Sequence, residues 1–399
     1  MKKQLLAVCV LAAMTAGLSA CGQQGGGAAA GGDKAAAGGG DVLRIVTGSP
    51  LSGGQAAAGK DFANGAQLAA DEINAKGGLD LGGKKYKLEI VSEDDAGDPK
   101  TGTTVAQKTA DDNSVVAVVG HYNSGVTMVA SPIYAQAGIP SITVSTNPDV
   151  IRKAPKLPDG GVAVFRIDAG DDKQGPALAD FAQSKGLKKL AILDDATAYG
   201  KGIADEVAKK AKELKLDVPV RESATDKTTD FKALLTKVKA AGADGVMWGG
   251  YDDTAATLTK QARELGLSVL MLMPDAACTD NFIKLAGNAA EGAICSSTSI
   301  PLDQMAKGGN FKAAFEKKFA GQVVQAYAPL TYDAVFVLAE AAKAAGSPDK
   351  AKIAAALGKV NYEGLSGKVA FEPSGERQGA QIAILEEKGG KFGVLKMVK

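Results

Sequence analysis

The chain has 399 residues, 45% hydrophobic and 23% charged, an ordinary globular composition on a length that suits two domains. Lys and Arg number 46 against 45 Asp and Glu, a formal charge of +1 that implies no strongly charged partner. Basic residues such as Lys209, Lys210 and Lys212 are interleaved with Glu206 and Glu213, so no nucleic-acid footprint is expected.

Residues 1–20 read as an export signal: Lys2 and Lys3, an apolar run from Leu5 to Ala13 too short to span a bilayer, then Leu18-Ser19-Ala20. The small residues before Cys21 resemble a lipobox, at which Cys21 would be acylated and become the N-terminus, anchoring the chain in the periplasm or at the cell surface. Cleavage there would remove two lysines and no acid, leaving 44 basic against 45 acidic residues. The Gly/Ala-rich stretch 21–40 has almost nothing to bury, and reads as a tether with a reach of roughly 20–25 Å. The fold is expected to start near Asp41.

From there short β-rich runs alternate with amphipathic stretches. Val42 to Thr47 is followed by Phe62 to Lys76, Lys87 to Ser92 by Pro99 to Asp111, and Val115 to Gly120 by Ser124 to Ala137. Asp98-Pro99 marks a helix start, since Asp caps free N–H groups and Pro costs nothing in the first turn. The loop 150–161, with two prolines and a Gly pair, separates this set from a second: Lys189 to Leu193, Tyr199 to Lys215, Val218 to Glu222, Phe231 to Ala241, Gly245 to Trp248, Thr254 to Leu265 and Val269 to Met273. Helices follow at Phe311 to Phe319, Thr331 to Ala345 and Ala351 to Leu357, and strands at Lys368 to Phe371 and Gln381 to Glu386. Repeated crossovers of this length give parallel sheets, so the expected fold class is α/β, with two doubly wound lobes.

With Cys9 removed and Cys21 acylated, Cys278 and Cys295 remain, in an oxidising compartment; one bridge is expected, two separate buried thiols being the alternative. Gly54 to Lys60 matches a phosphate-binding loop up to its lysine, but Asp61 stands where a Ser or Thr should hold magnesium. His121 is the only histidine; its spacing to Ser124 supports no triad, and a hydrogen-bonded structural role is expected. One histidine and two thiols make no zinc set, and Glu93-Asp94-Asp95 lacks the spacing of a calcium loop. No catalytic group, cofactor or metal is therefore expected.

The chemistry-bearing residues gather at strand ends: Gly120 to Ser124, Thr143 to Thr146, Asp194 to Tyr199, Gly249 to Tyr251, and Pro274-Asp275. Open α/β sheets bind ligands outside the carboxyl ends of their strands, so two facing lobes would collect these residues around one cleft. Ser124, Ser145 and Thr146, with helix N–H groups, suit a carboxylate, and Asp275 suits an ammonium.

The chain resembles the leucine/isoleucine/valine-binding protein family of ABC importers from about Val42 to its end. The resemblance is carried by Ala75 to Gly78, Asp94 to Pro99, Val119 to His121, Gln174 to Pro176, Asp195 to Gly200, Gly249 to Tyr251, Gln261 to Arg263 and Ala290 to Gly292. It implies a type I periplasmic binding protein: lobes of residues 41–165 with 298–369 and of 166–297 with 370–399, joined by three crossings near Arg166, Ser297 and Ala370. It implies a monomer that captures an amino acid for a permease, the alternative being a sensor of an amide or urea. By position, Ser124 and Thr146 match the carboxylate-binding hydroxyls with Ser145 beside them, Tyr251 and Asp275 meet the ammonium, Tyr199 closes from the second lobe, and Tyr122 and Tyr327 line the side-chain pocket. Ala58 replaces a frequent aromatic and Asp275 a longer Glu; Gly97 and Asn123 stand where some relatives have a disulfide.

Overall fold

The computed structural model describes residues 41–398; the expected export signal, the acylated Cys21 and the tether lie outside the described residues. Strand β1 (Asp41–Ser49) leads to α1 (Ala56–Ala75), β2 (Leu79–Leu81), β3 (Lys84–Asp94), α2 (Pro99–Asp111), β4 (Val115–Gly120), α3 (Ser124–Gln136), β5 (Ser141–Thr143), α4 (Asp149–Arg152) and β6 (Val164–Arg166). These strands form one sheet of order β2-β3-β1-β4-β5-β6, parallel except for β2. The start of α2 follows its sequence signal, with the Asp98 carboxylate accepting the Thr101 N–H at 2.8 Å and Pro99 in the first turn.

The chain then enters a second sheet through α5 (Asp171–Ser184), β7 (Leu190–Asp194), α6 (Ala198–Glu213), β8 (Arg221–Ser223), α7 (Lys232–Ala241), β9 (Gly245–Gly249), α8 (Asp252–Glu264), β10 (Leu270–Met273), α9 (Asp280–Ala286) and β11 (Ile294–Ser297). It returns to the first lobe with α10 (Gly308–Lys318), α11 (Ala328–Ala345), α12 (Lys350–Leu357) and the hairpin β12 (Asn361–Gly364) and β13 (Gly367–Ala370). Antiparallel strands β14 (Ile382–Glu387) and β15 (Phe392–Val398) complete the second sheet, of order β15-β14-β11-β10-β9-β7-β8.

Strand periodicity explains the layers. Along β7, Leu190 and Ile192 enter the core beneath α5 and α6, while Ala191 and Leu193 enter the opposite core with Trp248 and Leu235. A strand buried on both faces reads as a continuous apolar run, as β4 and β7 do. Two α/β lobes, the expected fold class, are what the structure has.

One boundary differs from the sequence reading. The Pro-rich loop 150–161 does not divide the two sets; β6 follows it and pairs with β5, Ser141 opposite Val164, so the chain changes sheets only after Arg166. A three-residue strand carries no usable period, which is why β5 and β6 escape pattern analysis. Cys278 and Cys295 are joined, with Cα atoms 5.5 Å apart, tying the turn after β10 to β11. Among the described residues no helix is long and apolar enough to cross a membrane.

Candidate functional site

The carboxyl ends of both sheets meet at one small pocket. From the first lobe, β4 delivers Tyr122 and Ser124 at the start of α3, β5 delivers Val144 and Thr146, and the start of α11 delivers Tyr327. From the second, the first turn of α6 supplies Tyr199, the residue before α8 supplies Tyr251, and the turn after β10 supplies Asp275 and Ala276. Seven of the eight ligand contacts expected from sequence therefore share this pocket.

Ser145 does not. Its hydroxyl donates to the His121 carbonyl at 2.9 Å and lies 2.6 Å from the Thr127 hydroxyl, and its N–H donates to the Thr143 hydroxyl at 2.9 Å. Both donors assigned to a ligand are thus committed behind the pocket.

Asp275 is the centre of the second lobe's contribution. Its Oδ1 accepts from the Tyr199 hydroxyl at 2.7 Å and from Gln174 Nε2 at 2.9 Å, and its Oδ2 accepts from the Tyr327 hydroxyl at 2.9 Å across the cleft. Burial pushes this carboxyl above its ordinary range, and the three donors pull against that. Tyr327, expected in the side-chain pocket, thus spends its hydroxyl on the acid. Tyr251 lies with its hydroxyl against Asn123 instead.

Gln174 has the role that sequence reasoning missed. Its Nε2 also donates to Asp171 at 2.9 Å, and its Oε1 accepts the Asp275 N–H at 2.9 Å and the Ser296 hydroxyl at 2.6 Å. It fixes the acid through side chain and backbone together. The Gln174-Gly175-Pro176 motif was its only signal. Two more buried acids surround it. Burial, then the Asp275 charge, pushes Asp171 up to about 8, and Asp168 is raised well above its usual range by the same two causes while Arg166 opposes them.

The opposite wall is donor-rich. Ser124 opens α3, whose first-turn N–H groups have no intrahelical acceptor, and its hydroxyl receives only a long 3.4 Å contact from the Asn147 N–H. Four tyrosines close over the space between, with ring centroids 4.8 Å apart for Tyr122 and Tyr327 and 5.1 Å for Tyr199 and Tyr251. What remains is a cavity of about 10 Å3, room for a single water. A larger ligand enters only when the lobes part. Contacts that would break on parting include Asn147 Nδ2 to the Ala198 carbonyl at 2.6 Å and Arg152 to Asp172 at 3.0 Å.

The remaining sequence candidates are structural. His121 is fully buried between Asp95 at 2.6 Å and the Tyr134 hydroxyl at 2.8 Å, so both ring nitrogens are taken and Ser124 is not its partner. The segment resembling a phosphate loop lies mostly inside α1, where a Cβ on Gly59 would sit 1.9 Å from the Pro50 carbonyl oxygen. Gly97 and Asn123 do face each other: a Cβ on Gly97 would lie 3.4 Å from the Asn123 amide, which donates to Gln55 at 2.7 Å.

The profile of the periplasmic binding protein family matches residues 42–391. The Leu/Ile/Val-binding protein homolog 1 of Brucella abortus is 35% identical over 340 residues, 84% of this chain and 87% of that protein. A leucine binding protein of Thermotoga maritima superposes with a TM-score of 0.80 at 26% identity, over 90% of this chain and 99% of that one. A branched-chain amino acid substrate binding protein of Streptococcus pneumoniae, solved with isoleucine, gives 0.80 at 28% identity, over 90% and 100%. Fold, cleft and these likenesses agree: the chain belongs to the periplasmic binding protein family, among the leucine/isoleucine/valine-binding proteins.

Proposed function

We propose that this chain is an extracytoplasmic receptor that closes its two lobes on an aliphatic α-amino acid and hands it to the permease of an ABC importer. The observation that supports this most is Asp275, a carboxylate only 4% exposed and held by three side-chain donors, with no ion pair among the described residues, across a small pocket from the amino end of α3. An ammonium would supply the missing charge there. An α-carboxylate would accept from the Ser124 and Thr146 hydroxyls and the free N–H groups of α3. Relatives named for leucine, isoleucine and valine point to the same ligands. Acylated Cys21 would hold the receptor at the membrane, lobes 41–165 with 298–369 and 166–297 with 370–399 would swing about the crossings as a monomer, and no cofactor or catalytic step is involved.

The test is thermal unfolding of protein stripped of ligand by unfolding and refolding, against amino acids, amides, urea and aromatic acids. A ligand at a hundred times its Kd adds about 2.7 kcal/mol, which raises the midpoint by several degrees. Selective shifts with leucine, isoleucine or valine are expected. Shifts confined to amides or non-amino carboxylates would overturn the ammonium role of Asp275.

Proton linkage gives an independent check. Burial raises Asp275, and Asp171 is pushed up to about 8. An arriving ammonium favours their ionised forms, so binding should release protons, and affinity should fall as pH drops below about 8. Calorimetry near neutrality in two buffers of different ionisation heat measures that release. Identical heats, together with a flat affinity profile, would count against the assignment.

A further inference from the structure

A second cavity, of about 380 Å3, lies at the hinge between the second and third crossings, within the size range of small-molecule sites. Its walls include Lys368 and Arg377, the hydroxyl residues Thr298 and Ser299, and the amides of Gln378 and Gln381, and contain no carboxylate. Arg377 is spent on the chain itself: its guanidinium donates to the carbonyls of Ile167 at 2.8 Å, Ser366 at 2.9 Å and Lys368 at 2.9 Å, strapping the first crossing to the β12–β13 hairpin. Buried Asp168 and Asp333 lie behind it and offset part of its charge. The free positive charge at the wall is therefore the exposed Lys368. Glu363, opposite Lys368 in the hairpin register, is not part of this cavity. Gly379 and Ala380 also line it, and their N–H groups donate no backbone hydrogen bond among the described residues. The Thr298 hydroxyl is spent on buried Asp168 at 3.2 Å and Gln378 Nε2 on the Phe371 carbonyl at 2.9 Å, so the donors left to a ligand are the Lys368 ammonium, the N–H groups of Gly379 and Ala380 and the Gln381 amide, a donor set for an anion.

We infer that this hinge cavity accepts a small multivalent anion, a phosphate or a polycarboxylate, and that its occupancy is coupled to closure of the cleft. The cavity is bounded by two of the three segments that must twist when the lobes part. An anion spanning Lys368 before the third crossing and Gly379 to Gln381 beyond it fits one hinge angle better than another, and linkage then requires that it shift the affinity of the cleft. Only this last consequence rests on the amino-acid reading.

Inorganic phosphate and, separately, citrate are titrated by calorimetry into the ligand-free protein, at an ionic strength fixed with sodium chloride. Saturable binding is expected in the parent and in Lys307→Ala, a lysine away from the hinge, and binding weaker by about tenfold or more in Lys368→Ala. Heats that never saturate, or an unchanged Lys368→Ala, would overturn the site. Phosphate and citrate behaving differently would say which anion it takes. With the anion saturating, the leucine affinity should change by about fivefold or more, and an unchanged value would overturn the coupling. Small-angle scattering of the same samples reads closure with no amino acid present. If the cleft binds no amino acid, the function proposed above fails, and a radius of gyration that ignores the anion still overturns the coupling by itself.

Discussion

Asp275→Asn should weaken amino-acid binding by about two to four orders of magnitude while leaving the stability of the unliganded protein within about 1 kcal/mol of the parent. The first part follows from the cost of leaving one charge of a desolvated pair without its partner, about 3–5 kcal/mol. The second follows from the surroundings of the side chain. An asparagine oxygen still accepts from Tyr199 and Gln174, which both address Oδ1, and its amide can donate to the Tyr327 hydroxyl, which now addresses Oδ2. The buried carboxyl also has no ion pair to lose among the described residues, and its burial already disfavours the charged form. Binding is read by calorimetry and stability by denaturant titration. Retained affinity would remove Asp275 from the site, and a matching collapse of stability would make it a structural residue instead.

How far the sequence reveals this site depends on how local each signal is. The two-lobed α/β architecture is legible because the apolar runs of β4, β7 and β9 and the helical stretches between them keep their own periods. Strand ends then name Ser124, Thr146, Tyr199, Tyr251 and Asp275 without any knowledge of how the lobes face each other. Ser145 fails for an equally local reason. Consecutive residues at the end of an extended segment point to opposite sides, and no pattern says which of Ser145 and Thr146 turns inward. Gln174 fails because its partners are remote in sequence: Asp275 is 101 residues away and Ser296 is 122. Tyr327 is reachable only through family resemblance, since nothing near it marks the start of α11 as part of a cleft. Sequence reading of Asp61 goes only as far as rejecting a phosphate loop.

That aspartate carries the second large expectation. Asp61 lies in α1, 2% exposed, and its carboxylate receives three backbone N–H groups from the segment that opens α11: Gln325 at 2.7 Å, Tyr327 at 3.1 Å and Ala328 at 2.8 Å. It therefore caps a helix more than 260 residues away and fixes the backbone of the residue whose hydroxyl reaches Asp275. Asp61→Ala leaves those three donors without an acceptor, and each lost buried partner costs about 1–3 kcal/mol, so a destabilisation of about 3 kcal/mol or more is expected from denaturant titration. Asp61→Asn should be milder but should also weaken ligand binding, because its amide nitrogen faces N–H groups that need an oxygen and Tyr327 shifts with them. The pH dependence separates the two contributions. Burial pushes the folded-state value up to about 7 from the ordinary 3.8, against the pull of the three N–H groups. In that window the folded state holds the proton more tightly than the unfolded chain, so this group's contribution is fully present below 3.8 and is lost as pH rises through about 7. Asp61→Asn lacks that proton, and its stability should therefore decline less steeply between those two pH values than the parent's. Parallel stability profiles for the two proteins would mean that Asp61 is ionised throughout and that the N–H groups outweigh burial.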